Sequence, residues 1–226
     1  MRRMHDAIIF DFDGVIADTE PLHYRSFRRV LEGVSIPLPE TVYYEKYMGL
    51  SDRVMLETVL ADAGRTGQID LDALFDAKCK LYMESIGDGH DLLPGVEAFV
   101  RRVAQRWIVA ICSGARRCEI EAILSANGLL EYFPVVVSTE DVRTSKPDPE
   151  GFVEVLRRLN ADGRGLAPGR CIVIEDSLPG IAAARAAGMR VLAVQTRHGP
   201  SELASADASV PDLTGVDDEA LCDLID

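Results

Sequence analysis

The run Ala7-Ile8-Ile9-Phe10-Asp11-Phe12-Asp13-Gly14-Val15 constrains this chain more than any other segment. Its apolar start, with two β-branched isoleucines, suits a strand covered on both faces. The run then meets two carboxylates one residue apart. They stand at the carboxyl end of the strand, where open α/β sheets bind their ligands. Two acids crowded at one turn repel each other unless a cation or a phosphate chemistry uses them. Gly14 permits the tight backbone that follows. Taken alone, the same run also reads as a strand that ends in a solvated acidic turn.

Three later segments favour the chemical reading. Trp107-Ile108-Val109-Ala110-Ile111-Cys112 runs into Ser113-Gly114. Thr144-Ser145-Lys146-Pro147-Asp148-Pro149 carries a lysine in a proline-flanked loop. Cys171-Ile172-Val173-Ile174 runs into Glu175-Asp176-Ser177, with Pro179-Gly180 beyond. Each segment puts a polar residue near the exit of a strand or the mouth of a helix. A hydroxyl, a lysine and two more acids, added to Asp11 and Asp13, suit phosphate chemistry with a divalent metal.

Strands are expected over 7–10, 107–112, 135–137, 171–174 and 191–194, with helical patterns between the last four. That alternation predicts an α/β fold, a Rossmann-like parallel sheet covered by helices. Ile120, Ile123 and Leu124 form one apolar stripe. Phe152, Val153, Val155, Leu156 and Leu159 form another. Pro179 opens a helix that Gly188 ends. Between the first two strands the pattern changes. From about residue 17 to 90 there are helical periodicities over 22–31, 54–60 and 71–83, and no buried strand. A parallel crossover needs only a dozen or so residues, so this stretch is expected to be a helical module of its own. Pro37 and Pro39 break it, as do Gly64 and Gly67; Gly87-Asp88-Gly89 and Pro94-Gly95 mark the return. The expected division is 1–16 with 91–226 as the α/β core and 17–90 as the insert. The acidic tail from Val216 onward is expected to close as a helix.

The ordered set Asp11-Phe12-Asp13-Gly14, Ser113, Lys146 and Glu175-Asp176 resembles the four motifs of the haloacid dehalogenase superfamily of phosphotransferases. The resemblance covers nearly the whole chain. It implies that the insert is a helical cap following the first motif. It implies Asp11 as a nucleophile that forms an aspartyl phosphate, and Asp13 as general acid and base. It implies Mg²⁺ held by Asp11, Asp176 and the backbone carbonyl of Asp13, with Glu175 a ligand or an acceptor behind them. Ser113 and the backbone N–H of Gly114 would hold phosphoryl oxygens. The family commonly has a second polar side chain where Gly114 stands. Lys146 would balance charge on the nucleophile and the phosphate. Each residue also has an ordinary reading: Ser113 as a helix N-cap, Lys146 as a solvated loop lysine, Glu175 and Asp176 as a cap on the following helix.

His23, in Asp18-Thr19-Glu20-Pro21-Leu22-His23, resembles the hinge-and-cap segment of β-phosphoglucomutases and related sugar phosphatases. His23, Arg53 and Arg116 are candidates to touch substrate, although a lone histidine or a helix-surface arginine is usually structural or solvated. Mutases carry a lysine just before the glycine of the cap loop and an arginine after the serine. Here those positions read Met48 and Asp52, with Arg53 displaced by one. That favours hydrolysis of a small phosphate monoester, a sugar phosphate or a phosphoglycolate-like compound, over a mutase. Dehalogenation is disfavoured because dehalogenating relatives lack an acid at the place of Asp13. Phosphonate cleavage relies on a cap lysine, and the surroundings of Lys46, Lys78 and Lys80 match poorly. A non-catalytic relative would carry a broken motif, and none is broken.

The formal net charge of −13 argues against nucleic acid or an anionic membrane as partner. The expected partner is a small phosphorylated metabolite, met by a monomer or weak homodimer. Five scattered cysteines without a CxxC pair suit reduced thiols. The apolar stretch near the amino terminus is too short for a signal peptide, so the cytoplasm is the expected location.

Overall fold

The computed structural model describes residues 6–48, 50–86 and 92–225. The chain divides into two compact units, Met1–Asp18 with Gly89–Asp226, and Thr19–Asp88. Gly49 and the expected turn at Gly87-Asp88-Gly89 lie outside the described residues.

The first unit is built on a parallel six-stranded sheet of order β3-β2-β1-β4-β5-β6. The strands are β1 (Ala7–Phe10), β2 (Ile108–Cys112), β3 (Val135–Val137), β4 (Cys171–Glu175), β5 (Arg190–Val194) and β6 (Ala208–Val210). β1 lies between β2 and β4, with Ile9 opposite both Ala110 and Val173. Every residue of β1 is buried, as a central strand covered on both faces requires. The second strand starts one residue later than expected. The N–H of Trp107 bonds to the carbonyl of Val103 at the end of the preceding helix, so Trp107 belongs to that turn. β6 is an additional strand. It is short, half-exposed and at the sheet edge, so no apolar run marks it.

Helices α5 (Val96–Val103), α6 (Arg117–Ala126), α7 (Glu150–Leu159), α8 (Leu178–Ala186) and α9 (Asp218–Asp223) belong to this unit. Each of the first four buries an apolar stripe; in α5 it is Val96, Phe99, Val100 and Val103. Asp217 caps α9, its side chain accepting from the N–H of Ala220, and the acidic tail therefore does close as a helix.

The second unit is helical. It contains α1 (Glu20–Gly33), a short α2 (Glu40–Val42) running into a π-helical turn at Tyr43–Tyr47, α3 (Asp52–Asp62) and α4 (Leu71–Ile86). Its core gathers Phe27, Val30 and Leu31 from α1, Tyr43 and Tyr47 from the π-turn, Met55, Leu56 and Val59 from α3, and Leu74 from α4. Tyr43 and Tyr47 keep their hydroxyls bonded, Tyr43 donating to Glu20 at 2.5 Å and Tyr47 to Asp62 at 2.6 Å. Among the described residues no helix is long and apolar enough to cross a membrane.

Candidate active site

β1, β2 and β4 end side by side and present their next residues at one end of the sheet. Asp11 continues the ladder, its N–H bonding to the carbonyl of Ile174 at 2.9 Å. The chain then turns tightly: the N–H of Ile16 reaches the carbonyl of Phe12 at 2.8 Å, and that of Gly14 reaches Ala17 at 2.9 Å. Gly14 has φ of +82°, and a Cβ there would lie 2.0 Å from Asp176 Oδ2. Glycine is therefore required twice over, for its backbone and for the approach of Asp176. Half-buried Asp13 sits in this turn and bridges to Ala17.

Lys146 reaches in from the loop between β3 and α7. Its ammonium donates to Asp11 Oδ1 at 2.5 Å, to Glu175 Oε1 at 2.7 Å and to the carbonyl of Cys112 at 3.1 Å. A solvated loop lysine would not be anchored three ways. The loop itself is pinned behind Lys146. Asp141 accepts from the N–H and hydroxyl of Ser138 and from Arg117 and Arg158.

Glu175 is wholly buried. Its Oε2 accepts from the N–H groups of Asp176 and Ser177 and from the Ser177 hydroxyl, at 2.7–2.9 Å. A Cβ on Gly180, in the first turn of α8, would fall 1.6 Å from Oε1. The glycine makes room for this carboxylate, which in turn holds Lys146 and the start of α8. Asp176 is different. Its Oδ2 is buried with no hydrogen-bond partner, and Arg197 Nε lies 3.5 Å away. The cap on α8 is Ser177, accepting from the N–H of Gly180, rather than Glu175 or Asp176.

Ser113 is buried at the end of β2, its N–H bonded to Val137 and its hydroxyl accepting from the N–H of Ala115 at 3.0 Å. It is not an N-cap: α6 begins only at Arg117, with Arg116 before it. A Cβ at Gly114 would meet nothing within 4 Å, so the backbone would accept the polar side chain this chain lacks. A cavity of about 120 Å³ opens beside Ser113, Gly114 and Lys146.

The electrostatics follow from crowding. Burial disfavours the charge on Lys146, yet Asp11 and Glu175 outweigh it and hold the ammonium well above its ordinary range. Burial pushes Asp11 well above the usual carboxylate range; Lys146 pulls it down, and Glu175, Asp176 and Asp13 push it up again. Two partners 2.5 Å apart cannot both be raised by their mutual attraction. The contact favours the ionised pair, and the upward push on Asp11 comes first from burial and then from the negative charge around it. Burial also pushes Asp176 up to about 7, with Glu175 adding to the push and Arg197 opposing it.

One oxygen each from Asp11, Glu175 and Asp176 lie within 4.8 Å of one another. An all-oxygen donor set with an unpartnered buried carboxylate oxygen fits a hard divalent cation such as Mg²⁺. Such a cation would draw Asp11 and Asp176 back into their ionised forms. Glu175 is the poorest of the three as a ligand, because four donors already use its oxygens.

The family model described as haloacid dehalogenase-like hydrolase matches residues 5–188. The chain belongs to that family. This haloacid dehalogenase-like hydrolase is 34% identical to a phosphorylated carbohydrates phosphatase of Thermotoga maritima over 188 residues, 81% of this chain and 82% of the relative. Its fold is similar to CbbY of Rhodobacter sphaeroides, solved with phosphate, at a TM-score of 0.78 and 26% identity over 94% of this chain and 96% of that one. It is also similar to a β-phosphoglucomutase of Clostridium difficile, at 0.79 and 25% identity over 98% and 97%.

The candidates outside the four motifs are placed differently. Arg116 lies 3.9 Å from Glu140. In the helical unit of the hydrolase, Arg53 pairs with Asp72 at 2.5 Å and with Glu57 at 3.8 Å. His23 Nδ1 lies 2.8 Å from Lys78 Nζ and 3.5 Å from Asp52. Lys78 is fully buried, hydrogen-bonds Asp52 and sits over the rings of Phe27 and Tyr82 at 4.8 and 4.6 Å. The sequence brings up Lys78 only as a poor match to a phosphonate-cleaving cap lysine, and does not foresee its partnership with Asp52 and His23. Its signal is the stripe Leu74, Lys78, Tyr82 and Ile86 on α4, where a charge occupies an otherwise apolar face. The five cysteines form no disulfide; burial pushes the Cys112 and Cys171 thiols up to about 12, so they behave as small apolar residues.

Proposed function

We propose that this hydrolase is a Mg²⁺-dependent phosphatase that cleaves a small phosphate monoester through an aspartyl phosphate on Asp11. The observation that carries the reading is the crowding of Asp11, Glu175 and Asp176 around one buried lysine, Lys146, at the carboxyl end of the sheet.

Asp11 attacks phosphorus in line, so that a carboxylate oxygen–phosphorus bond forms as the bond to the departing oxygen breaks. Asp13 gives its proton to that oxygen, then takes one from the water that attacks the aspartyl phosphate. Inorganic phosphate leaves and Asp11 is regenerated. Ser113 and the Gly114 N–H hold the phosphoryl oxygens, and Lys146 offsets charge on Asp11 and on the transferring group. Glu175 fixes Lys146. Asp11 and Asp176, with the backbone carbonyl of Asp13, hold the metal, and Mg²⁺ when bound supplies positive charge to the phosphoryl oxygens.

The phosphatase of phosphorylated carbohydrates among the relatives supports a sugar phosphate or a similar small metabolite as substrate. A sugar-phosphate mutase is the second reading, favoured by the similarity to a β-phosphoglucomutase. It needs cations to grip a second phosphate, and Arg53 and Lys46 are instead paired with Asp72 and Asp62. The test is a Mg²⁺-supplemented incubation with a panel of sugar phosphates and phosphoglycolate. The panel includes β-glucose 1-phosphate with a trace of the 1,6-bisphosphate, with inorganic phosphate and glucose 6-phosphate followed together. Phosphate released without glucose 6-phosphate, stopped by EDTA and restored by MgCl₂, is the expected result. Glucose 6-phosphate formed with little free phosphate would establish the mutase.

A further inference from the structure

Arg197 belongs to none of the four motifs. It lies in the loop after β5, which pairs in parallel with β4 so that Glu175 stands opposite Ala193. The loops leaving these two strands therefore emerge at the same end of the sheet. Thr196 ties the β5 loop to the turn after β1, its hydroxyl donating to the carbonyl of Gly14 at 2.6 Å. The next residue turns its guanidinium to Asp176, with Nε 3.5 Å from Oδ2. That distance gives charge pairing without a hydrogen bond, and Oδ2 keeps its lone pairs unused. The same oxygen is the one that a Cβ on Gly14 would strike. It is thus enclosed by a glycine on one side and faced by an arginine that is about a quarter exposed, at 28%.

We propose that Arg197 is the built-in counter-ion of Asp176 and opposes the divalent cation there, so that it sets how tightly the hydrolase holds Mg²⁺. The proposal rests on the reading of Asp11 and Asp176 as cation ligands. Its physical basis is simple. A cation bound by Asp176 would share that carboxylate with a guanidinium a few ångströms away, in a partly buried site where like charges repel strongly. Without the metal, Arg197 holds the carboxylate in place; with it, the arginine weakens binding and keeps it reversible. Arg197 is a positioning residue, acting through Asp176.

The experiment is calorimetric titration of metal-free protein with MgCl₂ at fixed ionic strength, for the parent chain, Arg197→Gln and Arg197→Lys. Thermal unfolding with and without MgCl₂ runs beside it. Arg197→Gln removes the charge and is expected to bind Mg²⁺ about tenfold tighter, with a larger Mg²⁺-induced rise in Tm. Arg197→Lys keeps the charge and is expected to stay within a few-fold of the parent. An arginine that only braces the fold would lower Tm with and without Mg²⁺ alike and leave the affinity unchanged. Unchanged or weaker binding by Arg197→Gln overturns the proposal. A parent chain that takes up no Mg²⁺ overturns the ligand reading itself, a separate result.

Discussion

Half-buried Asp52 and buried Asp176 both face cations, and their acidities move in opposite directions. Burial alone would raise Asp52, but the neighbouring His23 and the charge and hydrogen bond of Lys78 overturn it and bring it down to about 2. Burial raises Asp176 as well, and there Glu175 adds to the push while Arg197 and Lys146 only partly oppose it, leaving it at about 7. The difference is the census of neighbours. The helical unit surrounds one carboxylate with a buried lysine and an imidazole, close to charge balance. The sheet unit gathers Asp11, Asp13, Glu175 and Asp176 around Lys146 and Arg197. A balanced buried cluster ties helices together. A cluster with surplus negative charge carries a folding cost, which is intelligible where an incoming cation and a phosphoryl group use it.

This contrast can be broken by substitution. The largest effect is expected for Asp11→Asn, which should cut phosphate release by roughly 10⁴-fold or more. Its thermal midpoint should hold or rise, since one buried charge is gone from an overcharged cluster. An active Asp11→Asn enzyme would refute the covalent mechanism. Asp13→Asn should slow turnover by roughly 10²–10⁴-fold while calorimetry finds Mg²⁺ binding largely intact; a loss below tenfold removes Asp13 as acid and base. Lys78→Met is expected to act on stability instead. It leaves half-buried Asp52 without its lysine beside apolar and aromatic groups, at a cost of about 3 kcal/mol in denaturant unfolding, the low end for a buried pair because Asp52 keeps some solvent. The double variant Asp52→Asn with Lys78→Met should recover most of that. Additive losses would show that the pair is not coupled.

The smallest expected effect is on pH dependence. The folded-state pKa of Asp52, about 2, lies below the ordinary 3.8. Its contribution is therefore fully present above pH 3.8, about 2 kcal/mol by the size of the shift. It is lost as pH falls toward 2. Asp52→Asn should flatten the acid limb of the stability curve in that window; an unchanged limb would mean that Asp52 is not held ionised by Lys78.

Legibility followed burial and chain order. The five apolar runs could be read as strands because a parallel sheet covered on both faces demands near-continuous apolar sequence. β6 could not, because an edge strand of three half-exposed residues has no such demand. The stripes of α1, α3 and α4 were readable from their spacing, whereas the π-helical turn at Tyr43–Tyr47 has no periodic signature. Ser113 and Lys146 were identifiable from the four-motif order. The glycine at 180 gave no sign of its task, since only the fold brings it against Glu175.

By itself the sequence determined the class of fold, the end of the sheet at which chemistry would gather and the residue types assembled there. Each of these follows from local rules: apolar runs make strands, and polar residues at strand exits fall at the carboxyl edge. Tertiary structure alone decided which charges meet. It brought Lys146 from a distant loop onto Asp11 and Glu175, turned Arg53 toward Asp72, buried Lys78 with Asp52 and His23, and set Arg197 before Asp176. Charge interactions act through space over a few ångströms, and separation along the chain does not record that distance.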